Sequence, residues 1–265
     1  MSDFLKDLQG AQIKVPDCRF VLPGTKEEIL FNPFTTTDQK AILKSMEKRD
    51  YDLIQEAFDM LLRKTVLTQG FNPLDLYPKD RESLLIDLRR NSVKEEYTHM
   101  WTCDKLIDED KTCGHENKEM IRLNELDLTT LEKQINTKEL KMDSINGVIV
   151  VGMSKRRDEK AILKYTKDNS KDMKKGESSR AELLIASLAS VIKEVKFGDK
   201  VYSNLKLDER VEFVGKLSLD DRNQIRDFIK ELDEYGFNLT LKDLKCGGCG
   251  TVQDIEMEWM SFFAM

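Results

Sequence analysis

The sequence predicts an α+β protein that is mainly helical and carries short β-hairpins. Apolar residues recur at helical spacing in several long segments, and Leu53, Phe58 and Leu61 belong to the most regular of them. Other, shorter stretches alternate apolar and polar residues, as half-buried strands do. The turn-forming pair Asn146-Gly147 precedes a short apolar run, and such pairs are typical of hairpins.

The first part of the chain is predicted to hold three helices. The first begins near Thr36, because Thr36 and Gln39 have the spacing of a capping box. The second covers about 50–67, where the i, i+3, i+4 rhythm is followed closely. Pro78 suits the first turn of a third helix, about 78–92, because its missing N–H has no partner there anyway.

Short apolar runs on either side of turns predict hairpins. Pro23-Gly24-Thr25 separates two such runs near the N-terminus. Tyr97, His99 and Trp101 alternate with more polar neighbours, which indicates a strand that returns through Met120. The predicted hairpins lie at 18–31, 97–123 and 138–151.

The second half of the chain is predicted to be richer in helices. Residues 153–180 are its most basic part, with ten Lys or Arg against five Asp or Glu, and they predict a charged helix followed by a loop around 174–177. Lys155-Arg156-Arg157 is interpreted as a solvent-facing helix start, and Asp220-Asp221 as a solvated one. The further helices are predicted at about 178–195, 208–216 and 218–235.

The length allows one or two domains, and the absence of a Gly/Ser- or Pro-rich linker favours one compact domain in a soluble protein. The 265 residues include 43 basic and 49 acidic ones, for a net charge of −6, which gives no general reason to bind nucleic acid. No apolar run approaches the roughly 20 residues that span a bilayer, and the charged N-terminus lacks a signal core, so we expect a cytoplasmic protein. Residues 1–16 are interpreted as an N-terminal arm and 17–265 as a single α+β domain.

Cysteine spacing is the most specific local feature. Cys246-Gly-Gly-Cys249-Gly is a turn in which two thiolates face one cation, and its glycines let the backbone fold tightly. Cys103 and Cys113, at the tip of the predicted hairpin, are the natural second pair for tetrahedral Zn²⁺. The sequence therefore predicts a zinc-ribbon-like element, split between about 94–125 and 240–265, that joins the middle of the chain to its C-terminus.

Several alternatives remain open for these cysteines. His115 is a possible substitute for Cys103 or Cys113, whose separation is unusual for a zinc knuckle. The CxxC turn would also suit ordinary free thiols, whereas a redox pair lacks its βαβ context. Cys18 lies in an apolar strand and is expected to fill core space. Four protein ligands would leave no open position, which makes the predicted zinc structural.

Motifs for catalysis and phosphate binding are missing from the sequence. It contains neither GxxxxGK[ST] nor GxGxxG, and two histidines give no convincing Ser/His/Asp set. His99 is expected to be a packed or exposed side chain. We therefore expect no enzyme activity, no catalytic residues and no organic cofactor. The C-terminal Phe262-Phe263 pair is expected to complete the core beside the zinc site, and the alternative is an exposed plug for a partner.

The order of several motifs resembles the baseplate hub protein family of T4-like contractile-tailed phages. The resemblance runs from about residue 19 to the C-terminus. The matching pieces are Val21-Leu-Pro-Gly-Thr25, Ile29-Leu-Phe-Asn-Pro-Phe-Thr35, Leu84-Leu-Ile-Asp-Leu-Arg-Arg-Asn-Ser-Val93, Cys113 with Asn117, Leu123, Asp208-Glu209, Cys246-x-x-Cys249-Gly and Phe262-Phe263. The separation of Cys103 and Cys113 does not match the family firmly.

This resemblance implies a structural or assembly role and no enzyme activity. The implied partners are other phage baseplate and tail proteins in a hetero-oligomer, first in the host cytoplasm and then in the virion tail. Two other functions stay open at the level of sequence. One is an assembly chaperone absent from the mature particle, and the other is a zinc-ribbon nucleic-acid binder that would use residues 155–175.

Overall fold

The protein combines helices and β-sheets, in agreement with the α+β prediction. The computed structural model describes residues 17–93, 95–108, 111–132, 137–169, 179–232 and 235–264. The predicted arm 1–16 and the predicted loop around 174–177 therefore lie outside the described residues. Among the described residues, no helix has the length and apolar character needed to cross a membrane.

The helices and strands are numbered along the chain. The helices are α1 (Thr36–Glu47), α2 (Tyr51–Thr65), α3 (Pro78–Ser92), α4 (Arg156–Asn169), α5 (Ser179–Ser190), α6 (Leu207–Lys216) and α7 (Leu219–Glu231). The strands are β1 (Cys18–Val21), β2 (Glu28–Phe31), β3 (Glu96–Thr102), β4 (Leu106–Asp108), β5 (Lys111–Thr112), β6 (Glu116–Arg122), β7 (Leu128–Thr129), β8 (Lys138–Met142), β9 (Gly147–Val151), β10 (Ile192–Phe197), β11 (Lys200–Tyr202), β12 (Gly236–Phe237), β13 (Thr240–Lys245) and β14 (Val252–Glu256).

A first apolar core joins the N-terminal elements to the C-terminus. The β1–β2 hairpin and helices α1 to α3 surround it, and Phe262 and Phe263 from the 3-10 turn Trp259–Phe263 are completely buried in it. The ring of Phe263 packs edge-on against that of Phe58, with 4.9 Å between centroids. The buried guanidinium of Arg89 donates from Nε to the Phe262 carbonyl at 2.8 Å. The prediction that Phe262-Phe263 completes the core is confirmed.

The Pro-Gly-Thr turn of the first hairpin is fixed to the start of α3. Both oxygens of buried Asp80 accept backbone N–H groups, from Gly24 at 2.6 Å and from Thr25 at 3.1 Å. A β-carbon on Gly24 would lie 2.9 Å from Asp80 Oδ1, so only glycine leaves room for this approach. The turn residues therefore position β1 and β2 against α3 as well as joining them.

A second apolar core lies between an antiparallel sheet and the later helices. The sheet order is β11-β10-β9-β8, and Ile149 of β9 pairs with Leu140 of β8 and with Val195 of β10. Helices α4 to α7 contribute Ile162, Ala186, Leu188, Val214, Ile225 and Phe228 to the same core. The predicted hairpin over 138–151 is confirmed, with β8 and β9 as its two strands.

A buried ionic network connects α2, α3 and α4. Asp59 accepts from Arg81 Nε at 2.9 Å and from Arg156 Nε at 3.3 Å. Arg81 also donates to the Gln55 side chain at 2.7 Å. Arg156 is 2% exposed, so the interpretation of Lys155-Arg156-Arg157 as a solvent-facing start is wrong for its central residue. The guanidinium of Arg156 can be buried because the carboxylate of Asp59, from another helix, compensates its charge.

Two other predictions on the helices are corrected. The helix predicted over 178–195 ends at Ser190, and the β-branched Ile192 and Val195 instead enter strand β10. The apolar spacing of this stretch also fits a helix, which explains the error. Helix α1 is capped by Thr35, whose side chain accepts from Asp38 N, and not by the predicted Thr36 with Gln39.

Asp221 is buried, contrary to the prediction that Asp220-Asp221 is a solvated pair. Its carboxylate accepts from the backbone N–H groups of Asp143 at 3.2 Å and Ser144 at 3.1 Å. These bonds hold the 3-10 turn Asp143–Ile145 against the start of α7. They also lower the pKa of Asp221, with the Ser144 hydroxyl contributing, although burial alone would raise it.

Candidate metal centre

The first half of the site lies at the end of the β3–β6 hairpin. The two strands pair in register as far as Thr102 and Glu116, and the chain beyond them turns back on itself. Cys103 N donates to the His115 carbonyl at 3.0 Å, and Gly114 N donates to the Cys103 carbonyl at 2.9 Å. Gly114 has φ +64°, a conformation that glycine adopts without strain. These bonds bring Cys103 and Cys113 to one side of the turn.

The second half is the CxxC turn between β13 and β14. Cys246 N donates to the Thr251 carbonyl at 2.9 Å, and Gly250 N donates back to the Cys246 carbonyl at 2.9 Å. Gly250 has φ +74°. Gly248 N lies 3.3 Å from Cys246 Sγ and points at the sulfur. The glycines therefore serve the tight turn that the sequence predicted.

The structure brings the four cysteines of the two halves together. Their sulfur atoms all lie within 4.8 Å of one another. The Sγ atoms of Cys103 and Cys249 are 3.7 Å apart, and those of Cys113 and Cys246 are 3.8 Å apart. Four sulfurs at about 2.3 Å from one tetrahedral ion would be about 3.8 Å from each other. The cluster therefore has dimensions compatible with a bound metal ion.

The surroundings of the sulfurs are those of a small separate core. Cys103 and Cys246 are each 1% exposed and pack with Trp101. Cys113 and Cys249 are partly buried beside them, together with Leu244 and Ile255. An ion bound among them would have the four sulfurs as its ligands.

Hydrogen bonds at the CxxC turn favour thiolates. The backbone N–H of Cys249 is the main cause that lowers the pKa of Cys246 to about 6. The Gly248 N–H and the Asn117 amide contribute, and together they outweigh desolvation. The Thr251 hydroxyl, 3.4 Å from Cys249 Sγ, is the main cause of the lowered pKa of Cys249. Thiolate is the form that binds metal, so this half of the site is prepared for an ion.

The other half favours the neutral thiol. The backbone N–H of Lys105 favours the thiolate of Cys103, but desolvation and the neighbouring sulfurs outweigh it and raise its pKa to about 12. Desolvation and neighbouring sulfurs likewise raise the pKa of Cys113, against the effect of the His115 backbone N–H. A cation at the centre would replace these protons, so metal binding is expected to release protons.

His115 lies beside the cysteine cluster, whereas Cys18 and His99 lie away from it. The His115 side chain is exposed and lies over the turn, where a β-carbon on Gly247 would be 3.1 Å from its Nε2. The grouped ligand atoms among the described residues come from the four cysteines and not from His115. Cys18 packs at the edge of the first core, and His99 is half-buried on β3, where its ring is 6.2 Å from that of Tyr97.

Asn117 is a residue of the site that spacing alone did not indicate. Its Nδ2 lies 3.7 Å from Cys246 Sγ, and its Oδ1 accepts from Gly247 N at 2.9 Å. In the sequence, only the family resemblance points to this residue. No local signal distinguishes it from other polar residues on an exposed hairpin, because its contacts are with residues about 130 positions away.

The fold and the cysteine cluster are compatible with a structural protein. An α+β chain joins its middle and its C-terminus at a cluster of four cysteines, an arrangement of ligands typical of structural metal centres. Residues 15–264 match the family model described as T4 bacteriophage base plate protein, and the chain therefore belongs to that family. It is a structural component of a phage baseplate. Comparisons with curated proteins and with solved structures give no match.

Proposed function

We propose that this protein is a hub component of the tail baseplate, a scaffold without enzyme activity that contacts other tail proteins and is braced by one structural Zn²⁺. The ligands of the metal are Cys103, Cys113, Cys246 and Cys249. The observation that carries the proposal is the cluster of four sulfurs, formed by two distant segments of a baseplate-family chain.

The chemistry of the ligands supports zinc. Four thiolates in tetrahedral arrangement are typical of zinc or of iron–sulfur clusters, and zinc adds no redox chemistry to a structural part. The sulfur separations of 3.7 and 3.8 Å fit a single ion. Two antiparallel hairpins, each with a cysteine turn at its end, form the zinc-ribbon-like element of this proposal.

The proposed role of the metal is to hold the C-terminal segment in place. Cys113 and Cys246 are 133 positions apart, and a clip across so long a loop restricts the unfolded chain strongly. The segment after Cys249 continues through β14 to the buried pair Phe262 and Phe263. Zinc at the cysteines thus supports the docking of residues that complete the first core.

The charges of the basic segment argue against nucleic acid as a partner. Arg156 is buried against Asp59, and Arg157 forms an ion pair with Asp75. Lys160 Nζ lies 2.9 Å from Glu56 Oε1. Among the described residues of this segment, these three cations are already paired with carboxylates, which leaves fewer charges for phosphate. We therefore assign other baseplate and tail proteins as partners, in a hetero-oligomer built in the host cytoplasm and retained in the virion.

Metal analysis of the purified protein tests the zinc site. One zinc per chain is expected in the wild type and in Cys18→Ser, which removes a cysteine outside the cluster. Loss of the metal is expected in the Cys246→Ser/Cys249→Ser double variant, together with a lower melting temperature. A folded wild-type protein that binds no metal would contradict the proposal.

The place of the protein in the particle needs a separate measurement. Mass spectrometry of purified phage tails is expected to detect the chain at a fixed ratio to other hub proteins. Chemical crosslinking should join it to those same proteins. Detection in assembling cells but not in finished tails would instead favour an assembly chaperone.

A further inference from the structure

We infer that Asn117 is the positioning residue of the metal centre, and that its side-chain amide fixes the CxxC turn on the opposite hairpin and supports Cys246 as a ligand. This inference rests on the proposed zinc site. Asn117 follows the first cysteine turn on strand β6, in register with Trp101. Its amide reaches across to the other half of the site.

The contacts of Asn117 belong to both halves. Nδ2 donates to the His115 carbonyl at 3.1 Å, which ties the amide to its own turn. The same nitrogen lies 3.7 Å from Cys246 Sγ, within the range of a hydrogen bond to sulfur. Oδ1 accepts from Gly247 N at 2.9 Å. One planar group thus contacts a metal-ligand sulfur and the backbone N–H of the next residue.

The chemistry of these partners requires an amide. A backbone N–H demands an acceptor, whereas a carbonyl oxygen and a thiolate both demand a donor. Asparagine offers the two functions on one short side chain, and the partners fix which end is oxygen and which is nitrogen. Aspartate would keep the acceptor for Gly247 but would turn a second oxygen toward the sulfur.

Such support around a metal ligand has measurable consequences. Groups that hydrogen-bond to ligands fix their orientation, and their loss typically costs about 10- to 100-fold in metal affinity. Asn117 has a second effect here, because it joins the two halves through bonds that need no metal. Its removal leaves Gly247 N without that acceptor and frees the turn to move before the ion binds.

Zinc affinity of three full-length variants tests the inference, measured by competition with a chromophoric chelator. We expect Asn117→Ala to bind zinc about 10- to 100-fold more weakly than the wild type. Asn117→Asp should weaken binding as well, because it removes the donor to Cys246 Sγ. Asn124→Ala is the matched control, since Asn124 is exposed and donates to Glu95 Oε2 instead.

Cobalt substitution gives a readout that a purely structural residue would not change. Cobalt bound to four thiolates has sulfur-to-metal charge-transfer bands, and Asn117→Ala is expected to shift them while Asn124→Ala leaves them in place. Wild-type zinc affinity and unchanged bands in Asn117→Ala would overturn the inference. Wild-type affinity in Asn117→Asp would contradict the proposed support of Cys246 Sγ by the Asn117 amide. A wild type that binds no metal would instead refute the zinc site itself.

Discussion

The cysteine hairpins and the second core are held together by different means. Strands β3 and β6 form a two-stranded sheet, as do β13 and β14, and the core between them contains little more than Trp101 and the cysteines. The second core has a four-stranded sheet with α4 to α7 packed around its apolar residues. An isolated two-stranded hairpin is marginally stable in water, whereas a sheet covered by helices is stable by apolar burial.

This contrast indicates where a bound metal ion would contribute most to stability. The helices and sheet of the second core bury many aliphatic side chains and need no additional crosslink. The cysteine hairpins bury few, and a bound ion would supply the missing stabilisation. The first core is stabilised by apolar burial, and a bound ion would also help to hold its C-terminal aromatic residues, which follow shortly after β14.

Removal of the proposed zinc is expected to have the largest effect. Apparent zinc-binding free energies in small structural sites are on the order of 10 kcal/mol, so chelation should lower the melting temperature strongly. The loss should also be local at first. Hydrogen exchange after chelation should accelerate in β3, β6, β13 and β14 well before it does in β8 to β10.

The control for this experiment is the protein reloaded with zinc, which should regain its slow exchange. Equal acceleration in the hairpins and in the four-stranded sheet would show that the two regions unfold as one unit. That result would contradict separate stabilisation of the cysteine hairpins and the second core.

The second largest effect is expected where the two cores meet. Asp59→Ala would leave the buried guanidinium groups of Arg81 and Arg156 facing each other without their shared carboxylate. Breaking a buried pair in this way costs about 3–5 kcal/mol, measured as the free energy of unfolding in urea. Asp75→Ala removes a partly exposed carboxylate beside Arg157 and is expected to cost only about 0–1 kcal/mol. Equal losses would show that the network contributes no more than a surface pair.

The sequence predicted helices and turns better than it predicted which charged side chains are buried. Helix α3 was predicted at its observed limits, because Pro78 fixes its start. The CxxC turn indicated the cysteine cluster, and the structure brings the predicted cysteines together, while their role as ligands stays a prediction. The burial of Arg156 and Asp221 could not be predicted, because each depends on a partner far away in sequence.

A smaller effect on the free energy of unfolding should come from pH, through Asp87 in helix α3 beside the first core. Burial, opposed by the neighbouring Arg90, raises the pKa of this carboxyl from 3.8 to about 6. The native state therefore binds a proton more tightly than the unfolded state, and stability falls as pH rises from about 4 to about 6. A shift of about two units corresponds to at most about 3 kcal/mol.

Comparison with Asp87→Asn isolates this contribution. The free energy of unfolding, measured at several pH values in that window, should depend less on pH in the variant than in the wild type. Identical pH dependence in the two proteins would show that Asp87 titrates normally in the folded state.

The smallest expected effect compares one glycine from each region. A β-carbon on Gly248 would lie 2.7 Å from His115 Cβ, 2.8 Å from His115 Cγ and 3.2 Å from Cys113 Sγ. Gly248→Ala must therefore displace one cysteine turn from the other, at a cost of about 1–3 kcal/mol in the metal-loaded protein. Gly215 in α6 has open space at the same position, so Gly215→Ala should be neutral or stabilise by up to about 1 kcal/mol. Thermal unfolding of both variants measures the difference. An unchanged melting temperature in Gly248→Ala would contradict the close approach of Gly248 to His115, for which the distance from an added β-carbon to His115 Cβ is 2.7 Å.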